Sequence, residues 1–334
     1  MTDWDAAMAR ALELAVAPDA PRGLNPRVGC VIIGASGDTV GEGYHRGAGT
    51  PHAEVQALDE AGVAARGATA VVTLEPCRHV GRTGPCVQAL IAAGVSRVVF
   101  AQADPTVSAG GGTGELRAGG IEVIGGVLEE RASLVNRGWT HVQRTGRPFV
   151  TLKMAATLDG RVADGGGGPT PISGPESARF VHALRGDVDA VLVGTGTAVI
   201  DNPRLTVREL DGRMADRQPL RVVIGERHLP RSLRIFSDEA LTVHLRTRVP
   251  AEVMADLADR GVQQVLLEGG PSIAAAFLDA GLVDEVVWLL APRLFGVGPV
   301  ALGPMSGPLL VDVREFGRIG DDVLVRGAPR TPAP

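Results

Sequence analysis

At 334 residues the chain is longer than one ordinary domain, and its length favours two. With 45% hydrophobic and 21% charged residues, both signs interspersed, the composition is globular and neither disordered nor fibrous. A formal net charge of −5 argues against nonspecific nucleic-acid binding, although local arginines can still hold a compact anionic substrate on an acidic protein.

The segment MTDWDAAMARALELAV opens with acidic residues and has neither the basic n-region nor the long apolar stretch of a secretory signal. No apolar run reaches membrane-spanning length. Three cysteines, Cys30, Cys77 and Cys86, are too few and odd in number for a disulfide framework, so a reducing cytoplasm is the expected home.

Taken in chain order, the first half predicts a helix at Asp3–Val16, a strand at Val28–Ile33 and a helix at His52–Ala61. A strand at Ala70–Leu74, a helix at Val87–Ala93 and strands at Arg97–Ala101 and Ile121–Ile124 follow, then one helix from Leu128 to Thr145. The polar, Gly/Pro-punctuated Arg144–Pro148 precedes a new apolar strand, which places the domain boundary there, with domains at 1–145 and 149–327. The second half predicts strands at Phe149–Met154, Ala190–Val193, Leu220–Ile224, Thr242–Leu245, Gln264–Leu267 and Glu285–Leu290. Helices are predicted at Pro175–Arg185, Ala251–Arg260 and Ser272–Ala280, so both halves read as α/β. Gly165–Gly168 and the Pro-rich Ala328–Pro334 are expected to be mobile.

The strongest chemical signal is Pro51-His52-Ala53-Glu54 followed by Glu75-Pro76-Cys77 and, after a loop, Gly84-Pro85-Cys86. One imidazole and two thiolates suit zinc, and three protein ligands leave a fourth tetrahedral position for water, the mark of a catalytic site. Glu54 lies two residues from His52 at a helix start, where a carboxylate can move protons between a zinc-activated water and departing ammonia. This histidine, glutamate and Pro-Cys pattern is the general signature of zinc deaminases. The competing reading is a helix-capping histidine and two buried thiols, which needs several independent coincidences. Cys30, inside VGCVII, reads as a small core residue.

The cysteine spacing departs from the C-x-x-C of nucleoside and nucleic-acid deaminases by the inserted loop RHVGRTGP. Asn25-Pro26-Arg27-Val28-Gly29-Cys30, Gly41-Glu42-Gly43-Tyr44-His45, His52-Ala53-Glu54 and TLEPCRHVGRTGPC resemble the riboflavin-biosynthesis pyrimidine deaminases, whose members often carry a fused reductase domain. The resemblance implies a cytidine-deaminase-like three-layer domain acting on a diaminopyrimidinone that bears a ribosylamino 5′-phosphate. The inserted loop would bring His79, Arg82 and Thr83 beside the metal, fitting a phosphorylated tail; Arg82 taken alone is equally an ordinary solvated arginine. Asn25 has two open readings, an amide facing the ring's polar edge or a routine turn residue before proline.

In the second half, GTGTAVIDNPRLTVR and Leu267-Glu268-Gly269-Gly270-Pro271-Ser272 both follow predicted strands, where open α/β sheets place ligands. Glycines there admit a phosphate to the backbone, and helix N-terminal amides favour its charge. With Leu152-Lys153, Thr157-Leu158-Asp159-Gly160-Arg161, Ile172-Ser173 and Leu184-Arg185, the set is similar to the dihydrofolate-reductase-like domain of the fused riboflavin enzymes. That resemblance implies hydride transfer from NADPH, with Ala155, Thr197, Asp201, Gly269 and Gly270 on the cofactor. On the substrate it implies Arg185, Leu205, Arg208 and Glu268, the two arginines holding its phosphate. Lys153 and Asp159 are supporting residues without an assigned role. One departure is Pro169-Thr170-Pro171-Ile172, where the family usually has Ser-x-Trp-Ile: proline offers neither ring nor backbone N–H.

The expected protein is a zinc- and NADPH-dependent bifunctional enzyme. Its expected partners are a small phosphorylated pyrimidine and further copies of the same chain, with neither nucleic acid nor membrane. A deaminase whose second domain has lost reductase activity is the alternative. A nucleic-acid-editing deaminase would need a basic groove and stacking aromatics, against an acidic chain with one tyrosine.

Overall fold

A computed structural model of the chain describes residues 4–18, 20, 23–79, 84–209 and 211–332. It forms two compact units, Met1–Gly146 and Arg147–Pro334. In the first, apolar residues alternate along the strands and so feed two cores. Cys30, Ile32, Ala70, Val72, Val98 and Phe100 point to one face of the sheet. Val31, Val71, Val99 and Ala101 point to the other. This period-2 pattern, hydrophobic on both faces, requires helices above and below, which gives three layers.

The sheet runs in the order β2-β1-β3-β4-β5, with β1 at Gly29–Ile33, β2 at Thr39–Tyr44, β3 at Thr69–Leu74, β4 at Arg97–Gln102 and β5 at Glu122–Gly125. The first pairs are antiparallel and β3, β4 and β5 are parallel. Helices α1 (Asp5–Ala15) and α5 (Glu129–Val135) cover one face. Helices α2 (Ala53–Ala61), α3 (Cys86–Ala93) and α4 (Gly112–Ala118) cover the other. Strand β2 carries no sequence signal because Gly41 and Gly43 interrupt it, and both are needed. A Cβ on either would sit 2.2 or 2.3 Å from the α2 carbonyls of Ala57 and Ala53. The helix therefore packs directly on the strand backbone.

The predicted single helix from Leu128 to Thr145 is corrected to two, α5 and α6 (Arg137–Thr145), broken at Asn136. The Asn136 side chain leaves the helix business and pairs with Arg27 as a neighbouring strand would, accepting from its N–H at 2.8 Å and donating to its carbonyl at 2.9 Å.

The second unit is an eight-stranded sheet, β12-β13-β11-β6-β10-β7-β8-β9. Strands β6 (Phe149–Thr157), β7 (Ala190–Gly194), β8 (Leu220–Ile224), β9 (Thr242–Leu245), β10 (Gln264–Leu267) and β11 (Glu285–Ala291) are parallel. Helices α9 (Pro250–Asp259) and α10 (Pro271–Asp279) pack on one face around Phe277 and Leu257. Helices α7 (Pro175–Asp187) and α8 (Thr195–Ile200) pack on the other. The expected mobile tail is a second correction: Ala328–Arg330 belongs to β13 (Asp322–Arg330), antiparallel to both β11 and β12 (Leu310–Ile319). Ala333 and Pro334 lie outside the described residues, whereas Gly165–Gly168 is an exposed run of bends. No helix among the described residues is long and apolar enough to cross a membrane.

Candidate active sites

Three segments of the first unit end at one place. Strand β3 delivers Glu75, Pro76 and Cys77; α2 starts just after His52, its N-cap; α3 starts at Cys86. The Cys86 N–H at that helix start lies 3.5 Å from Cys77 Sγ and favours Cys77 as thiolate. His52 Nδ1 lies 3.1 Å from Cys86 Sγ and 3.6 Å from Cys77 Sγ, and all three ligand atoms fall within 4.8 Å of one another. Tetrahedral zinc with Zn–N of about 2.0 Å and Zn–S of about 2.3 Å sets nitrogen and sulfur roughly 3.5 Å apart, so the donor set fits that ion. Both sulfurs are buried.

The electrostatics agree with a cation site. A hydrogen bond from Cys86 pulls the Cys77 thiol well down, against the opposing effect of burial. The same contact and burial push Cys86 well up. The two sulfurs thus compete for one proton, and a nearby dication would favour a thiolate at each. Contact with Cys77 raises His52.

Glu54 is buried beside this cluster, and burial raises its carboxyl above the ordinary range. It borders a cavity of about 240 Å³ together with Asn25, His45, His52, Cys77 and His79. That is the volume of roughly eight waters, room for one heterocyclic ring. Asn25 Nδ2 lies 3.2 Å from His45 Nε2, and the His45 ring meets His52 edge-on at 5.5 Å. Burial and the neighbouring imidazole lower His45, which keeps that ring neutral. Of the inserted loop, His79 lines the cavity, whereas Arg82 and Thr83 lie outside the described residues. Cys30 is fully buried in β1 and is not in the ligand group.

In the second unit the carboxyl ends of the adjacent strands β6, β10 and β7 gather Ala155, Thr197, Glu268, Gly269 and Gly270, with Arg185 on Glu268. Ala155 lies near the end of β6 and Gly194 ends β7. The β10 strand runs into Glu268, Gly269 and Gly270, the last being the N-cap of α10. A Cβ on Gly270 would lie 3.4 Å from Thr197 Oγ1, so these two junctions touch. Glu268 is paired with Arg185 of α7, and Lys153 acts on the same carboxylate through its charge. Lys153 is lowered by burial and also senses Arg185 and Asp201. Asp201, at the end of α8, is exposed and raised by partial desolvation.

Leu205 is buried with φ +52°, a conformation costly for a bulky side chain, and Asn202 nearby has φ +42°. The surroundings hold this turn: Arg234 bonds both the side-chain and backbone oxygens of Asn202. The buried Arg221 of β8 donates to the carbonyls of Arg204, Ser237 and Ala240. Arg208 spends its guanidinium on the Gly212 carbonyl and Glu239, and its backbone N–H meets His182 Nε2 at 2.6 Å. Asn136 and Arg221 escaped sequence reasoning because their partners lie 109 and up to 19 residues away.

Fold and site together define a zinc-dependent deaminase unit joined to an NADPH-dependent reductase unit. Residues 148–325 match the family of the RibD C-terminal domain, and residues 1–102 match the cytidine and deoxycytidylate deaminase zinc-binding region. The RibD protein of Mycobacterium tuberculosis is 48% identical over 306 residues, covering 90% of each chain. That of Escherichia coli is 40% identical over 355 residues, covering 95% of this chain and 96% of its own. A solved Thermotoga maritima diaminohydroxyphosphoribosylaminopyrimidine deaminase/5-amino-6-(5-phosphoribosylamino)uracil reductase is 34% identical with a TM-score of 0.86. The match covers 98% of this chain and 99% of that one. The chain belongs to the RibD family, the bifunctional deaminases and reductases of riboflavin biosynthesis, acting on a small-molecule pyrimidine.

Proposed function

We propose that the first unit hydrolytically deaminates 2,5-diamino-6-(5-phosphoribosylamino)pyrimidin-4(3H)-one and that the second reduces the ribosyl chain of the product to ribityl. The observation that carries the reading is the convergence of His52, Cys77 and Cys86 beside buried Glu54 at a ring-sized cavity. His52, Cys77 and Cys86 hold the metal. Zinc, when bound, supplies the Lewis acidity that makes water a nucleophile at neutral pH. Glu54 relays the protons of the attacking water, one to the departing amino nitrogen and one to the adjacent ring nitrogen, so ammonia leaves as the new carbonyl forms. Asn25 orients the ring edge, and His79, with Arg82 and Thr83 of the inserted loop, meets the ribosyl phosphate.

In the second unit Thr197, Asp201 and Ala155 contact the nucleotide, while Gly269 and Gly270 admit its phosphates to the start of α10. NADPH, when bound, supplies hydride to the ring-opened C1′, and a proton completes the reduction. Glu268 orients the substrate's polar groups. Arg185 spends Nε and Nη2 on Glu268, and on this reading its Nη1 serves the phosphate. Arg208 shares that phosphate only by exchanging its Gly212 and Glu239 contacts for it, and the strained turn at Leu205 presents backbone to the substrate. We assign the protein to the cytoplasm, independent of nucleic acid and membrane. We also assign it to a homo-oligomer, supported by the edge strand β12 with Val313 and Phe316 exposed.

The test incubates the protein with the diaminopyrimidinone phosphate and NADPH while following ammonia and NADPH absorbance together. Ammonia release followed by NADPH oxidation is expected. Ammonia without oxidation would reduce the second unit, with Pro169 and Pro171 in place of the family's Ser-x-Trp, to a binding domain.

A further inference from the structure

The deaminase cavity is lined by a second buried carboxylate, Glu75, two residues before Cys77 and 7% exposed. Its bonding differs from that of a proton carrier, because both oxygens are already committed to backbone and hydroxyl donors. Oε1 accepts from the Thr113 N–H at 3.0 Å and the Thr113 hydroxyl at 2.7 Å, in the first turn of α4. Oε2 accepts from the Asp104 N–H at 3.3 Å. The carboxylate therefore grips the two ends of one segment, 104–113.

That segment is a wall of the cavity, contributing Asp104, Thr106, Ser108 and Ala109. The grip passes inward along it: Asp104 Oδ1 accepts from the Thr106 N–H and hydroxyl at 2.8 and 2.7 Å, and the same hydroxyl accepts from the Ala109 N–H at 3.3 Å. The wall is also stitched to the ligand-bearing loop. The Arg78 N–H donates to the Ala109 carbonyl at 3.2 Å, and Arg78 Nη2 to the Val107 carbonyl at 3.2 Å. Close seating is enforced by glycine: a Cβ on Gly112 would lie 2.1 Å from the Pro76 carbonyl oxygen.

We propose that Glu75 is a positioning residue for deamination, its carboxylate holding segment 104–113 in register with the Cys77 loop so that Asp104, Thr106 and Ser108 face the pyrimidine in one fixed arrangement. The inference rests on the deaminase reading given above. Neither Glu75 oxygen takes a reacting proton; that work stays with Glu54.

Glu75→Gln tests this at constant shape. A carboxamide has one oxygen and one NH₂, yet donors face both of its ends, so one end sets donor against donor. The expected result is a KM for the diaminopyrimidinone phosphate raised about tenfold or more. Zinc content and NADPH-dependent reduction of separately supplied deaminated substrate stay at wild-type values. Thr113→Val, which removes only the hydroxyl, should shift KM in the same direction by less, and it keeps the test decisive if Glu75→Gln fails to fold. Unchanged KM in both variants, zinc loss in Thr113→Val, or a fall in kcat at constant KM overturns the proposal. Absence of ammonia release by the wild-type protein would instead sink the deaminase reading itself.

Discussion

Arg185 and Glu268 meet as a two-point pair, Nε to Oε1 at 2.5 Å and Nη2 to Oε2 at 2.8 Å, tying α7 to the carboxyl end of β10. Burial pushes the Glu268 carboxyl up, but the Arg185 charge and hydrogen bonds, with help from Lys153, hold it below the usual range. The planar fork of arginine fixes the carboxylate plane as well as its charge.

Removing one partner leaves the other desolvated and alone. Arg185→Ala should therefore destabilise the second unit by about 3 kcal/mol, the low end for a broken buried pair. Arg185→Lys keeps the charge but loses the fork and should fall between. Urea denaturation of the full chain, followed by a probe in the second unit, reads this directly. A loss under 1 kcal/mol in Arg185→Ala would show the pair to be solvent-relaxed.

A different carboxylate contributes to the acid sensitivity of the same unit. Asp159 is held down to about 2, first by the Thr157 hydroxyl and then by the Gly296 and Phe295 amides. Its folded pKa is below the unfolded value of about 3.9. The sign is that of a depressed acid: the contribution is fully present above about pH 4 and is lost as pH falls through about 2. Asp159→Asn should flatten the pH dependence of the second unit's stability between pH 4 and 2. An unaltered acid slope in that variant would show that other carboxylates set it.

Most strands and the long helices were legible in the sequence because their apolar periodicity is local. What escaped was set by distant partners. β2 is written as TVGEGY, poor in strand formers, since α2 occupies the space its side chains would need. The break at Asn136 is invisible in the helical pattern because its cause is the backbone of Arg27. Likewise β12 and β13 lie in a Pro- and charge-rich tail whose order comes from pairing with β11. At the site, the histidine and two cysteines that the structure brings together stood out by residue type and spacing. Glu75 was read only as part of a motif, and its grip on Thr113 and Asp104 needed the folded loop.

The two activities should separate cleanly at the metal. Stripping zinc with a chelator should abolish ammonia release while leaving NADPH-dependent reduction of the deaminated pyrimidine intact, because His52, Cys77 and Cys86 all lie in the first unit. Glu54→Gln should divide the deaminase site further. The amide keeps the volume of the buried side chain beside Cys86 but cannot carry a proton. Zinc should remain at one ion per chain by elemental analysis, with kcat for ammonia release down by a factor of about 10²–10⁴, the span of general acid–base catalysis. Reductase turnover should not change. Zinc retention with full deamination in Glu54→Gln would move the proton-transfer role to another group, whereas zinc loss would make Glu54 part of the metal's support.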